Sequence, residues 1–193
     1  MKLAVVTAGL SVPSSSRLLA DRLATATVAA SSSPVSVSVV ELRDIALDVT
    51  KNLLTGFPSP ALSSAIATVV DADAVIVVTP VFTAGYSGLF KSFFDVLDAD
   101  SLVGKPVLLG ATGGTERHSL VLDYQLRPLF GYLKADPVAT GVFAASSDWG
   151  EGALQRRIEK AGAELASAAD GRAVGGGEPE FVPFEQLLAG AGE

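Results

Sequence analysis

The 193-residue sequence has no cysteine and only one histidine, one tryptophan and one methionine. Without cysteine there are no disulfides, no thiolate metal sites and no cysteine nucleophile. With His118 as the single imidazole, metal chemistry would rest on carboxylates alone, and none cluster along the chain. No serine–histidine–acid set stands out. Positive charge is scarce: 14 Lys and Arg face 21 Asp and Glu, for a net charge of −7. That balance argues against a nucleic-acid backbone or an anionic membrane as the main partner, yet leaves room for a local basic group to hold one phosphate. Long apolar runs are missing too, and none reaches the roughly 18 residues of a membrane span. The apolar part of the opening MKLAVVTAGL is short for a secretory leader and reads better as a strand. These absences set the expectation of a cytoplasmic protein.

What is plentiful is apolar residue, 49% of the chain. The length and this fraction fit one domain whose sheet is covered on both faces. LAVVT (3–7), VSVSVVEL (35–42), ADAVIVVT (72–79), PVLLGAT (106–112) and VATGVFAA (138–145) read as strands, the second as a half-exposed outer one. Helical spacing predicts helices over 15–28, 60–70, 86–97, 117–133 with Pro128 inside, and 151–169. This alternation predicts an α/β fold, a flavodoxin-like doubly wound five-stranded parallel sheet of order 2-1-3-4-5. ASSSP (30–34) reads as a surface loop, Lys91 as solvated, Asp148 as an N-cap and Trp149 as packing. The domain is expected over residues 1–170. Residues 171–193 then form a Gly-rich linker, GRAVGGGEPE, and an apolar tail, FVPFEQLL, expected to dock on this or a neighbouring subunit.

In that order strands 1, 3 and 4 are neighbours, and ligands of open sheets bind at their carboxyl ends. The first such loop, GLSVPSSSR (9–17), sets Ser11, Ser14, Ser15, Ser16 and Arg17 between strand and helix. Unpaired N–H groups at a helix start, hydroxyls and a guanidinium suit a phosphate; the plainer reading is N-cap serines in a polar loop. The second loop holds Pro80, Val81, Phe82, Thr83 and Tyr86. It offers backbone N–H groups and a ring to a flat ligand, or is an ordinary apolar turn. The third holds Thr112, Gly113, Gly114 and His118. Adjacent glycines let backbone approach a ring, and His118 either faces a flavin pyrimidine edge or caps a helix. A phosphate cradle beside a surface open to a flat ring suggests flavin mononucleotide.

At PSSSRLLADRLA (13–24), TPVFTAGYSGLFKSFFD (79–95) and ATGGTERHSLVLDYQLRPLF (111–130) the chain resembles the NADPH-dependent FMN reductase family. Within it, the resemblance is to reductase partners of luciferase-like and alkanesulfonate-type flavin-dependent monooxygenases, and FVPFEQLL adds to it. Ser16 stands where threonine is more usual. The resemblance implies FMN and NADPH or NADH as cofactors, with hydride passing to the flavin and no side-chain acid or base. It implies phosphate contacts from Ser11, Ser14, Ser16 and Arg17. Pro80, Val81 and Phe82 would border the ring, and Thr112, Gly113, Gly114 and His118 its pyrimidine side. Tyr124 matches a tyrosine in a distorted interface helix beside the flavin, and Pro128 makes a distortion there physically reasonable. The rivals are a flavin enzyme reducing quinones, azo compounds or metal oxyanions, a non-enzymatic electron carrier, and a flavin-free interaction domain. Helices 86–97 and 117–133 are apolar around most of their circumference. That predicts a homo-oligomer, a homodimer or homotetramer, built on them.

Overall fold

The structure, a computed structural model, describes residues 1–150 and 152–174. The expected tail therefore lies outside the described residues. Strand β1 (Lys2–Thr7) pairs in parallel with β2 (Ser36–Glu41) and with β3 (Ala74–Phe82). β3 pairs in parallel with β5 (Pro106–Gly113). The fifth strand is split: β6 (Asp136–Pro137) pairs with the start of β5 and β7 (Val142–Ala145) with its end. The order is the expected 2-1-3-4-5, with one interruption.

That interruption is closed by side chains. Arg127 donates to the carbonyls of Val138 and Ala139, both at 3.1 Å. Glu164 accepts from the Thr140 N–H and hydroxyl, both at 2.7 Å, and Arg157 donates to the Gly141 carbonyl at 2.9 Å. Backbone groups left unpaired by the ladder thus find partners.

β3 runs past the expected end at Pro80. It continues to Phe82 and folds back as a two-residue arm, β4 (Gly85–Tyr86), the antiparallel element of the sheet. Pro80 is tolerated because β1 has already ended, with Thr7 opposite Val78. Ala8 donates to the Val78 carbonyl, so by strand alternation the missing Pro80 N–H falls on the side where β1 has stopped.

Helix α1 (Ser15–Ala30) starts at Ser14, whose hydroxyl accepts from the Arg17 N–H. α3 (Pro60–Val70) starts likewise at Ser59, with Pro60 in its first turn. Between them lies α2 (Ala46–Thr55), which was not expected. α4 (Gly88–Asp95) is shorter than the predicted 86–97 because Gly85 and Tyr86 are extended. The predicted helix 117–133 is broken into a 3₁₀ turn at 116–118, a π-helical turn at Leu122–Leu126, and α5 (Arg127–Tyr132). Pro128 has no N–H to donate and its ring crowds the carbonyl four residues back, so the turn before it widens. The Arg127 N–H accordingly bonds the carbonyl of Leu122, five residues back. α6 (Gly152–Val174) absorbs residues 171–174, which the sequence reading gave to a linker.

Two apolar layers result. α1 and α6 cover one face through Leu19, Leu23, Ile158, Ala161 and Leu165. α3, α4 and α5 cover the other through Leu62, Val69, Phe90, Phe93, Phe94 and Phe130. Every phenylalanine of α4 is therefore buried within its own chain. These rings leave no exposed aromatic face on α4. Leu120, Tyr124 and Tyr132 do stay exposed, at 60%, 75% and 84%.

Candidate active site

The three loops meet at the carboxyl edge, as the strand order requires. Loop one turns sharply after β1. A Cβ on Gly9 would lie 1.9 Å from the Ser14 Oγ, so a glycine is needed where the loop closes on the strand end. Ser11 and Ser15 are exposed and Ser14 is half-buried at the N-cap. The first turn of α1 has no acidic side chain, so its N–H groups and partial positive charge face the loop uncompensated from within that turn.

Ser16 behaves differently from its neighbours. It is 2% exposed, and its hydroxyl shares a 2.7 Å hydrogen bond with that of Thr112, itself 5% exposed. These two hydroxyls were expected to face a ligand. In this structure they engage each other, which ties loop one to the end of β5, and the accepting hydroxyl keeps its own hydrogen for a further partner.

Arg17 lies at the rim. Its Nε is 2.7 Å from Asp21 Oδ1, and its Nη1 contacts Glu41 Oε1. The Asp21 hydrogen bond, aided by the charges of Asp21 and Glu41, raises the guanidinium above its ordinary value against some loss of solvation. Glu41 Oε2 also forms an ion pair with Arg43 Nη2 at 2.9 Å, while Arg43 Nη1 donates to the Ser11 carbonyl at 3.0 Å. Glu41 and Arg43 were missed in the sequence because they follow an exposed strand and read as ordinary surface charge.

Loop two is a hairpin whose two central residues, Thr83 and Ala84, have φ of 48° and 65°. Positive φ at both positions is the turn that suits a two-residue hairpin, but glycine or asparagine usually fills it. Gln125, from the π-helical turn, donates to the Ala84 carbonyl at 3.0 Å and pins the tip; sequence reading gave it no role. Phe82 is 47% exposed, whereas Val81 and Tyr86 pack on the core, Tyr86 with its ring 6.0 Å from that of Phe90. Pro80 is half-buried.

In loop three the two glycines have different reasons. A Cβ on Gly113 would meet Phe143 at 2.9 Å, an internal contact, while one on Gly114 would meet nothing within 4 Å. Gly114 is the position that leaves its backbone open to a ring. His118 is half-buried on the 3₁₀ turn. Tyr124 stands exposed on the π-helical turn. Trp149 packs under the Arg22 guanidinium at 5.3 Å, and Asp148 accepts from the Ala145 N–H, closing the turn after β7.

A cavity of about 390 Å³ lies at the opposite edge, lined in part by Met1, Asp73, Lys105 and Asp170. Its polar groups already serve the fold: Lys105 holds the carbonyls of Val70 and Ala72, Asp73 the Lys2 N–H, and Asp170 that of Ser32. A helix start, an arginine and open backbone come together, among the described residues, at the carboxyl edge. Among the described residues no group of three or more His, Asp or Glu is placed to hold a metal.

A model of the NADPH-dependent FMN reductase family matches residues 1–150. The chain belongs to this family. As a member of the FMN reductase family it is 42% identical to an FMN reductase (NADPH) of Pseudomonas aeruginosa over 116 residues, 60% of this chain and 62% of that protein. It is 38% identical to an NADH-dependent FMN reductase, SfnF, of Pseudomonas fluorescens over 134 residues, 69% of this chain and 72% of that one. The match thus spans just under two thirds of the first relative. A solved oxidoreductase from Corynebacterium diphtheriae superposes with a TM-score of 0.85 at 44% identity, covering 88% of this chain and 96% of that one.

Proposed function

We propose that this protein reduces FMN with NADPH or NADH, and that the three carboxyl-edge loops hold the flavin. The observation that carries the reading is their convergence, joined by the Ser16–Thr112 bond, in a chain of this family. Ser11, Ser14, Ser15, Ser16, Arg17 and the N–H groups starting α1 would receive the phosphate. Pro80, Val81, Phe82, Thr83 and Tyr86 would border the ring. Gly113, Gly114 and His118, with Thr112 behind them, would take the pyrimidine side, with Tyr124 nearby. Bound there, the flavin supplies the hydride acceptor and the nicotinamide the hydride. The residues of the chain orient and shield; none is needed as acid or base. Relatives named for NADPH and for NADH both match, so either donor fits.

We also read the exposed Leu120, Tyr124 and Tyr132 as part of a contact between copies in a homodimer or homotetramer. By the motif resemblance, the reduced flavin would pass to a flavin-dependent monooxygenase. The domain would comprise residues 1–170, with α6 running on to Val174 and the tail as an appendage. No single helix among the described residues is long and apolar enough to cross a membrane, and we place the protein in the cytoplasm. The test is NADPH and NADH oxidation with and without added FMN. Turnover that requires FMN is expected. Equal turnover without FMN by flavin-free protein would overturn the reading.

A further inference from the structure

The ion pairs around loop one assign a role to Glu41 that the phosphate reading leaves out. Two cations, Arg17 and Arg43, touch three anions, Asp21, Glu41 and Asp44. The cluster carries a net charge of −1 before any ligand arrives. Glu41 is central to it: its two oxygens take one guanidinium each, Arg17 on Oε1 and Arg43 on Oε2, and its side chain is 19% exposed. Arg17 is thereby turned toward β2. Its Nη2 makes no hydrogen bond among the described residues. Arg43 is fully engaged, with Glu41, Asp44 and the Ser11 carbonyl.

A phosphate monoester brings nearly two further negative charges to this place. It can reach Nη2 of Arg17, but the charge of that guanidinium is already shared with Glu41 and Asp21, whose repulsion the phosphate meets there. Glu41 thus has two opposed effects. Through Arg43 it steadies the backbone of loop one, and through Arg17 it resists the anion.

We propose that Glu41 is a positioning residue that weakens the hold on the flavin phosphate, so that FMN exchanges with solvent instead of remaining as a fixed prosthetic group. This rests on the reading of loop one as the phosphate site. An arginine shared with an internal carboxylate returns to it when the phosphate leaves, which lowers the barrier to release. The flavin that exchanges is then a substrate and product, as a protein supplying reduced flavin to another would require.

The test uses the full-length chain and two flavins that differ only in the phosphate, FMN and riboflavin. Binding is followed by quenching of flavin fluorescence and dissociation by stopped flow. Glu41→Gln keeps the shape and removes the charge. It is expected to tighten FMN about three- to tenfold, the scale of a part-exposed ion pair, mainly through slower dissociation. Riboflavin affinity should stay within about twofold, since a general loosening of the fold would move both flavins alike. Asp21→Asn, which relieves the other carboxylate on Arg17, should act in the same direction and carries the test if the first variant folds poorly. Arg17→Ala separates the two layers of the argument. Should it weaken FMN while Glu41→Gln leaves FMN unchanged or weaker, the role of Glu41 is overturned and the phosphate site stands. Should Arg17→Ala leave FMN affinity unchanged, the phosphate site itself is overturned.

Discussion

On one face of the sheet Phe90, Phe93, Phe94 and Phe130 fill the space beneath α4 and α5, with Phe90–Phe94 centroids 4.8 Å apart and Phe94–Phe130 centroids 5.0 Å apart. On the other, α1 and α6 approach until a Cβ on Gly162 would lie 2.8 Å from the backbone of Ala26 and Thr27. One face is packed by bulk, the other by closeness. The aromatic face backs the hairpin, where apolar support holds a strained turn. The close-packed face backs loop one, where the start of α1 must be fixed for its N–H groups to converge. The difference suggests that the two halves of the candidate site have different tolerances, which substitution can separate.

The largest effect is expected at the aromatic cluster. Phe94→Ala removes a ring that is 2% exposed and should cost about 3–5 kcal/mol in urea unfolding; a loss below about 1.5 kcal/mol would mean that the cluster collapses and refills. On the close-packed face Gly162→Val forces atoms into backbone that cannot rotate away, with an expected loss of about 1–3 kcal/mol. Gly131→Ala is the control: nothing lies within 4 Å of its added Cβ, and a gain of up to about 1 kcal/mol is expected in α5. If Gly162→Val cost no more than this control, the contrast between the faces would be wrong.

A smaller effect tests the hairpin. Ala84→Gly at φ 65° should raise stability by about 0.5–1 kcal/mol by relieving the left-handed conformation. A loss in the same thermal or urea measurement would show that the tip stores no strain. The smallest effect concerns acid. The Ser32 hydroxyl and N–H hold the Asp170 carboxyl below its ordinary value. A depressed folded value gives stability that is present above the unfolded value and fades as pH falls through the folded one. Asp170→Asn should therefore lower the neutral plateau of a stability-versus-pH curve slightly and leave its acid end nearly unchanged, so that the acid limb flattens. An acid limb as steep as in the parent chain would remove Asp170 from the account.

The strands and the strand-end loops were legible because buried parallel strands are continuous apolar runs and their order follows from alternation. α2 was not. Its only buried residue is Val49, while Leu47 and Leu54 are 76% and 83% exposed, so its leucines do not trace an inward stripe. The usable signal was its end: Gly56 at φ 75° with Pro58 two residues on is the pairing that stops a helix. The hairpin carried no Asn-Gly or Asp-Gly to announce it. The distortion of 117–133 could be anticipated from Pro128, but its π-helical form could not. Within the site, residue types were readable and their partners were not. Ser16 and Thr112 are 96 positions apart, and no local pattern reveals that they bond each other.

The split fifth strand has a further consequence. Its middle carbonyls and the Thr140 N–H are occupied by Arg127, Arg157 and Glu164, so that border of the sheet offers little template to a foreign strand. Among the described residues the other border, β2, is unpaired on its outer side. Among the described residues β7 also has no strand on its outer side, but it offers four residues against the six of β2. A foreign strand would therefore find its longer row of open backbone groups at the β2 border.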